Sequence, residues 1–239
     1  MEVVLRVAPE LRPLLPARHR PGEVRLTSDG TATVGHLVES SGIPLTEVGE
    51  LRIGGVPVDP FRMPGAGDVV DVLPVTWPQP VVRERFVLDV HLGALARRMR
   101  LLGVDTAYRT HADDPELVAQ AVAEERVLLT RDRGLLRRRA LPAGALVRAD
   151  RPDDQLVEVV RRFAPAVAPF TRCPACNGLL VPAAPGEVAD RLEPGTRRTY
   201  AEFSRCPGCG RIYWRGAHAA RLDALLARVA AVTRDSGLG

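Results

Sequence analysis

The four cysteines of this 239-residue chain stand in two matched pairs, Cys173-Pro-Ala-Cys176 and Cys206-Pro-Gly-Cys209. A C-x-x-C turn delivers two thiolates from one loop. Two such turns supply the four ligands of a tetrahedral Zn²⁺, with Zn–S bonds of about 2.3 Å. A redox dithiol would need only one pair. A closed four-thiolate shell has no coordination position left for substrate, so zinc held there is structural and any reaction belongs elsewhere.

A second set of residues could carry that reaction. Asp89 closes the apolar run Phe86-Val-Leu-Asp, Asp113-Asp114 opens a helical stretch, and Asp132 ends Leu128-Leu-Thr-Arg-Asp. The apolar runs read as strands, so the carboxylates collect beyond one edge of a sheet. Clustered carboxylates repel one another and are tolerated best when a divalent cation neutralises them. Mg²⁺ or Mn²⁺ held by two or three aspartates, with waters completing the octahedron, activates water and stabilises a leaving oxygen, as phosphodiester hydrolysis requires. Arg97, Arg98 and Arg100 lie on the helix after Asp89, and Arg131 and Arg133 flank Asp132. Such cations suit backbone phosphates. Arg137, Arg138 and Arg139 lie farther on and suit a solvated face. Each acid also has an ordinary use: Asp114 suits the N-cap of a helix opening at Pro115, and Asp89 and Asp132 suit loops. His91 and His111 lie near the acids, but a lone histidine is more often structural, so neither joins the catalytic set.

The elements that must position these residues fall into three groups. Residues 1–73 predict a small mixed domain: strands at 3–7 and 24–27, a helix capped by Thr33, a hairpin of 51–53 and 56–58 turning through Gly54-Gly55, and a last strand at 69–73. One helix against such strands is a β-grasp, or ubiquitin-like, arrangement, assigned to 1–75. Three prolines between 74 and 80 make a stiff linker. From residue 84 to 165 strand and helix alternate, with strands at 86–90, 105–109, 127–130 and 145–147 and helices at 92–102, 117–125, 135–139 and 155–163. That alternation predicts a parallel sheet with helices on both faces, which binds ligands beyond the carboxyl ends of its strands. Residues 168–220 hold the cysteine pairs, separated by 29 residues, so the 181–203 insert must form a hairpin or loop of its own. The tail, 221–239, continues a periodicity at Leu222, Leu225, Leu226 and Val229 that suits a packing helix.

Composition narrows the class. No apolar run of about 18 residues occurs and no charged n-region precedes an apolar h-region, which predicts a cytoplasmic protein with no membrane contact. Four cysteines committed to metal leave none for disulfides, in keeping with a reducing compartment. All 33 basic residues are arginine. Residues 1–80 carry 7 arginines against 10 acids, residues 81–150 carry 13 against 10, and residues 151–239 carry 13 against 9. The acidic head is therefore followed by two basic segments that suit a polyanion.

Several of these motifs together resemble one family. Phe86-Val-Leu-Asp-Val-His-Leu-Gly-Ala-Leu-Ala-Arg-Arg-Met-Arg-Leu-Leu-Gly103, then Asp113-Asp-Pro-Glu-Leu117, then Leu128-Leu-Thr-Arg-Asp-Arg-Gly-Leu-Leu136, and the two CPxC pairs with Tyr213-Trp214-Arg-Gly-Ala-His218 occur in order. Residues 84–222 are similar in this to the Mut-seven C-terminal RNase family, a PIN-like nuclease domain with a zinc ribbon. Residues 1–75 resemble the ubiquitin-like domain that precedes it in some members, itself related to sulfur carriers. The resemblance implies RNA as substrate, Asp89, Asp114 and Asp132 as acids for Mg²⁺ or Mn²⁺, Asp113 as a fourth, and structural Zn²⁺ on the cysteines. Sulfur carriers need a free C-terminal Gly-Gly, whereas here Gly54-Gly55 is internal and the chain runs on through Pro74. The head thus reads as a docking or regulatory module for a protein partner. Two rival readings are an RNA-binding protein without turnover and an adaptor that docks a partner through the head.

Overall fold

The computed structural model describes residues 1–216 and 219–235, without the side chains of 219–222 and 233–235. Ala217 and His218 of the 213–218 motif, and the Leu222 side chain, lie outside the described residues.

The head is built from β1 (Glu2–Val7), β2 (Glu23–Thr27), α1 (Val34–Ser40), β3 (Val48–Ile53), β4 (Val56–Val58) and β5 (Val69–Pro74). Its sheet has the order β2-β1-β5-β3-β4, with β1 parallel to β5 and the other pairs antiparallel. Along β1 the side chains alternate, so Val3, Leu5 and Val7 turn inward onto Val34, Leu37 and Val38 of α1. Thr33 caps α1, its Oγ1 accepting from His36 N at 3.3 Å. Gly54 and Gly55 have φ of +58° and +79°, the conformation a two-residue hairpin turn demands. The β-grasp reading of the head therefore holds.

The second unit runs β6 (Arg85–Leu88), α2 (Gly93–Leu101), β7 (Asp105–Tyr108), α3 (Asp114–Ala123), β8 (Val127–Thr130), α4 (Arg133–Leu136), β9 (Gly144–Leu146) and α5 (Pro152–Phe163). Its four strands are all parallel in the order β7-β6-β8-β9. The first strand ends two residues earlier than its apolar run predicts, because Val90–Leu92 coils into one 3-10 turn that leads into α2.

Side-chain alternation splits the sheet into two packed faces. Phe86, Leu88, Val127, Leu129, Ala145 and Val147 face α2 and α5. Val87 and Leu128 face Leu117 and Ala121 of α3 and Leu135 of α4. Leu146, on that second face at the β9 edge, is buried with Leu136 in the core of the head. On that side Leu136 of α4 and the core of the head together cover β9.

A third group follows: β10 (Val181–Ala183), α6 (Pro185–Val188), α7 (Pro194–Thr199), β11 (Phe203–Arg205), β12 (Ile212–Tyr213) and α8 (Ala219–Asp235). The order β10-β11-β12 is antiparallel. The expected hairpin between the cysteine pairs is present only at its base, and its tip folds into α6 and α7. Ala183, Val188, Leu192 and Phe203 give that tip a small core of its own, which is why it is helical and not an open loop. Val229 and Val232 place α8 on the face already occupied by α2 and α5. No helix among the described residues is long and apolar enough to cross a membrane.

Candidate functional site

The strand order creates a topological switch point. From β6 the chain crosses outward to β7, then returns past β6 to β8 and continues outward to β9, so connections diverge between β6 and β8. In open α/β sheets this reversal, at the carboxyl ends of the strands, is where ligands bind. Asp89 directly follows β6, and Asp132 lies two residues past β8.

Thr130 joins these two loops. Its hydroxyl, fully buried at the end of β8, donates to Asp89 Oδ2 at 2.7 Å and accepts from Asp132 N at 2.9 Å. Asp89 is itself 6% exposed, and its position is fixed further by Asp89 N donating to Leu129 O at 3.0 Å. Asp132 caps α4, its Oδ1 accepting from Gly134 N at 2.7 Å. Each acid therefore spends one oxygen on positioning.

The remaining two acids are used differently. Asp113, not Asp114, caps α3: its Oδ1 accepts from Glu116 N at 2.9 Å while Glu116 Oε2 accepts from Asp113 N at 3.2 Å. This capping box draws Asp113 toward its own helix end. Asp114 starts the helix and pairs with Arg138 at 3.5 Å, a bond that ties α3 to the segment after α4. Among the described residues, the group of three or more ligand atoms close enough to hold a metal is the cysteine set; the carboxylates do not form such a trio. What the switch point offers is Asp89 and Asp132, two hard oxygen donors linked by Thr130. A Mg²⁺-like ion suits one or two carboxylates completed by water and substrate phosphate, so these residues fit it.

The arginines divide sharply. Arg97 is exposed on α2. Arg98 pairs with Asp153 of α5. Arg131 pairs with Asp150 at 2.6 Å, and Arg133 donates to Leu14 O of the head at 2.6 Å. Arg100 departs from the expectation that it meets phosphate. It is 3% exposed, and its guanidinium donates to Thr106 O at 2.8 Å, Pro174 O at 3.1 Å and Ala175 O at 2.9 Å. Burial lowers its pKa, yet its donors are spent on carbonyls of the first cysteine turn, so it braces that turn. His91 and His111 are both exposed.

All four cysteine Sγ atoms lie within 4.8 Å of one another. Cys173 and Cys209 are 3.6 Å apart and Cys176 and Cys206 3.4 Å, near the roughly 3.8 Å edge of a tetrahedron with bonds of about 2.3 Å. Each turn is closed the same way, Asn177 N donating to Cys173 O at 2.9 Å and Gly210 N to Cys206 O at 2.8 Å. Asn177 and Gly210 both have positive φ, at +71° and +73°, a conformation that Asn tolerates better than most residues. Burial pushes the Cys173 thiol up, but hydrogen bonds from the Tyr213 hydroxyl and the Cys176 and Ala175 N–H groups outweigh it and bring it to about 6. Cys176 accepts the Gly178 N–H, yet burial and the thiols of Cys206, Cys209 and Cys173 push it up to about 12. A divalent ion would relieve that crowding. The cluster is compatible with a zinc ribbon and could bind a metal such as zinc.

The first cysteine turn is built into the sheet edge. Asn177 Oδ1 accepts from Thr106 N at 3.0 Å, and Asn177 Nδ2 donates to Asp105 Oδ1 at 2.8 Å. Asp105 also holds Arg126 at 2.7 Å and Arg172 at 3.3 Å. Burial raises its pKa, but Arg126, Asn177 and Arg172 outweigh that and hold the carboxyl below its usual value. Neither Thr130 nor Asp105 stands out by motif. A signal for Thr130 existed, because a hydroxyl ending the buried run Val127-Leu-Leu needs a partner.

The Mut7-C RNAse domain family matches residues 84–226 and the Mut7-C ubiquitin family residues 1–79. Among solved structures, the crystal structure of SAMP1 from Haloferax volcanii aligns at 20% identity and a TM-score of 0.26, covering 35% of this chain and 99% of its own. No curated protein matches the chain.

Proposed function

We propose, from the premise that this chain belongs to the Mut7-C RNAse domain family, that it is a metal-dependent ribonuclease hydrolysing RNA phosphodiester bonds in a reducing, cytoplasmic setting. The observation that carries this is the Asp89–Thr130–Asp132 linkage at the sheet's switch point. Asp89 and Asp132 would hold Mg²⁺ or Mn²⁺, with Asp114, now paired with Arg138, as a third acid. Such an ion supplies charge neutralisation and a more acidic water at the scissile phosphate.

The chain's own residues do the positioning. Thr130 orients the Asp89 carboxylate and the Asp132 loop together, so the two acids keep their spacing when a phosphate approaches. Burial of Asp89 strengthens its attraction for a cation, since little water screens it. Exposed Arg97 neutralises substrate backbone on the α2 side. The cysteine cluster would hold Zn²⁺ and brace β7 through Asn177 and Arg100.

The test is cleavage of single-stranded RNA by the full chain with Mn²⁺, with and without EDTA, beside Asp89→Asn and Asp132→Asn. Loss of at least 100-fold in both variants and with EDTA is expected. Equal cleavage by all three proteins would overturn the reading.

A further inference from the structure

A cavity of about 410 Å³ opens between the head and the segment that follows α4. The head contributes His36, Glu39 and Phe61, and the second unit contributes Arg137, Arg138 and Arg139. The volume lies in the range of about 300–1,000 Å³ typical of small-ligand sites and suits one nucleotide. Arg138 is paired with Asp114, while Arg137 and Arg139 are exposed and have no ion-pair partner among the described residues. Against the single acid Glu39, the lining carries an excess of positive charge.

The loop that carries the aromatic wall is tied down through its backbone. Phe61 is 73% exposed, yet its backbone is fixed by Phe61 N donating to Asp59 Oδ1 at 2.7 Å and by Gly35 N donating to Pro60 O at 2.8 Å. A Cβ at Gly35 would meet Pro60 at 3.0 Å, so this glycine lets α1 close on the loop that carries the ring. An accessible aromatic on a fixed backbone, beside arginines without ion pairs among the described residues, has the make-up of a single-strand site: a π face for a base and cations for the phosphates on either side.

The cavity also lies on a path to the acids. Asp132 caps the start of α4 and Arg137 ends it, with four helical residues between them. Five rises put the two residues about 7.5 Å apart along the helix, within reach of neighbouring nucleotides of one strand.

We propose that the seam between the head and the nuclease unit binds single-stranded RNA, with Arg137 and Arg139 on backbone phosphates and a base stacked on Phe61. The head thereby forms one wall of the substrate path. The choice of RNA rests on the ribonuclease reading, and the experiment separates the two. Binding of a fluorescein-labelled, unstructured RNA 12-mer to the full chain is measured by anisotropy across a salt series, in the Asp89→Asn background. Cleavage is measured separately with Asp89 intact. In single strands the slope of log affinity against log salt changes by about 0.7 per phosphate contact. Arg137→Ala/Arg139→Ala should therefore weaken binding at least tenfold and flatten the slope by about 1.4. Phe61→Ala should weaken binding about 5- to 150-fold with the slope kept, as loss of one base stack requires, and Phe61→Tyr should restore it. Arg6→Ala/Arg25→Ala removes the same charge from β1 and β2 and should leave both quantities unchanged. Unchanged affinity and slope in the Arg137/Arg139 variant, or equal losses in the Arg6/Arg25 variant, would overturn the site. Saturation by AMP that the RNA cannot displace would also overturn it, by assigning the cavity to a free nucleotide. Failure of the Asp89-intact protein to cleave would sink the ribonuclease reading while leaving these binding results readable.

Discussion

Glu47 of the head and Arg162 of α5 meet at 2.8 Å with each side chain only 3% exposed. Glu47 Oε1 also accepts from Leu146 N at 2.9 Å, and Arg148 approaches Glu47 Oε2 at 3.2 Å. Arg162 in turn donates to Thr46 O at 3.0 Å and Gln79 Oε1 at 2.8 Å. This ion pair thus joins the head to β9 and to α5 through Glu47, and to the linker through Arg162. A buried charge with so many fixed donors sets the orientation of two units more tightly than apolar contact alone, because any rotation leaves charges unpaired.

Glu47→Ala should accordingly lower the stability of the whole chain by about 3–5 kcal/mol, the cost of stranding a buried partner. Urea unfolding checks this. The transition should also split in two, with the head melting first, since Leu136 and Leu146 lose their cover. A single transition with an unchanged midpoint would count against a fixed head.

Thr130→Val keeps shape but removes the hydroxyl shared by Asp89 and Asp132. Leaving that carboxylate and that N–H without their partner should cost about 1–3 kcal/mol of stability. On the ribonuclease reading, kcat should fall at least tenfold with KM little changed. Thr130→Ser should recover both, which a purely steric role at this position would not.

Acid should weaken the join between the first cysteine turn and the sheet. Asp105 is held below its usual pKa, so its contribution is complete above the unfolded carboxyl's value, about 3.9, and is lost as pH falls through the lower folded value. The melting temperatures of the native chain and of Asp105→Asn should differ at pH 7 and converge below about pH 4. Any loss of metal in acid affects both proteins alike, so the difference isolates Asp105. A constant gap across the range would contradict the assignment.

Removing metal from the cysteine cluster should reach beyond the ribbon. Structural zinc contributes about 10–16 kcal/mol in isolated fingers, and here Asn177 and Arg100 couple the turn to β7. Hydrogen exchange after chelation, or in Cys206→Ser, should show residues 172–214 losing protection first and Asp105–Tyr108 next. Phe86–Leu88 and Val127–Thr130 should keep theirs. Unchanged protection along β7 would mean the ribbon is merely appended.

The course of the chain was legible where local rules act alone. Hairpin glycines, the Thr33 cap, the alternation of strand and helix and the two CPxC turns all depend on neighbours in sequence and are present, although the helix expected at 135–139 is shifted to Arg133–Leu136, where Asp132 caps it. Local reading went astray where a partner distant in sequence decides. Asp113 takes the cap expected of Asp114 because Glu116 completes its box. Arg100, in a row of arginines that suit phosphate, turns inward because unsatisfied carbonyls of the first cysteine turn wait there. The 181–203 insert folds helices around Val188 and Leu192, for which the expectation of a hairpin or loop had no place.

The sequence alone therefore determined the list of parts: a β-grasp head, a parallel sheet with acids after its strands, and a four-cysteine cluster. Those follow from periodicity, turn chemistry and ligand count, which are properties of short segments. Only the tertiary structure decided how the parts share one core. It linked Asp89 to Asp132 through Thr130, used the head together with α4 to cover β9, and aligned Phe61 with Arg137 and Arg139 across a seam. The physical reason is that buried polar groups and exposed sheet faces must be satisfied by whatever packs against them, and no local pattern names that partner.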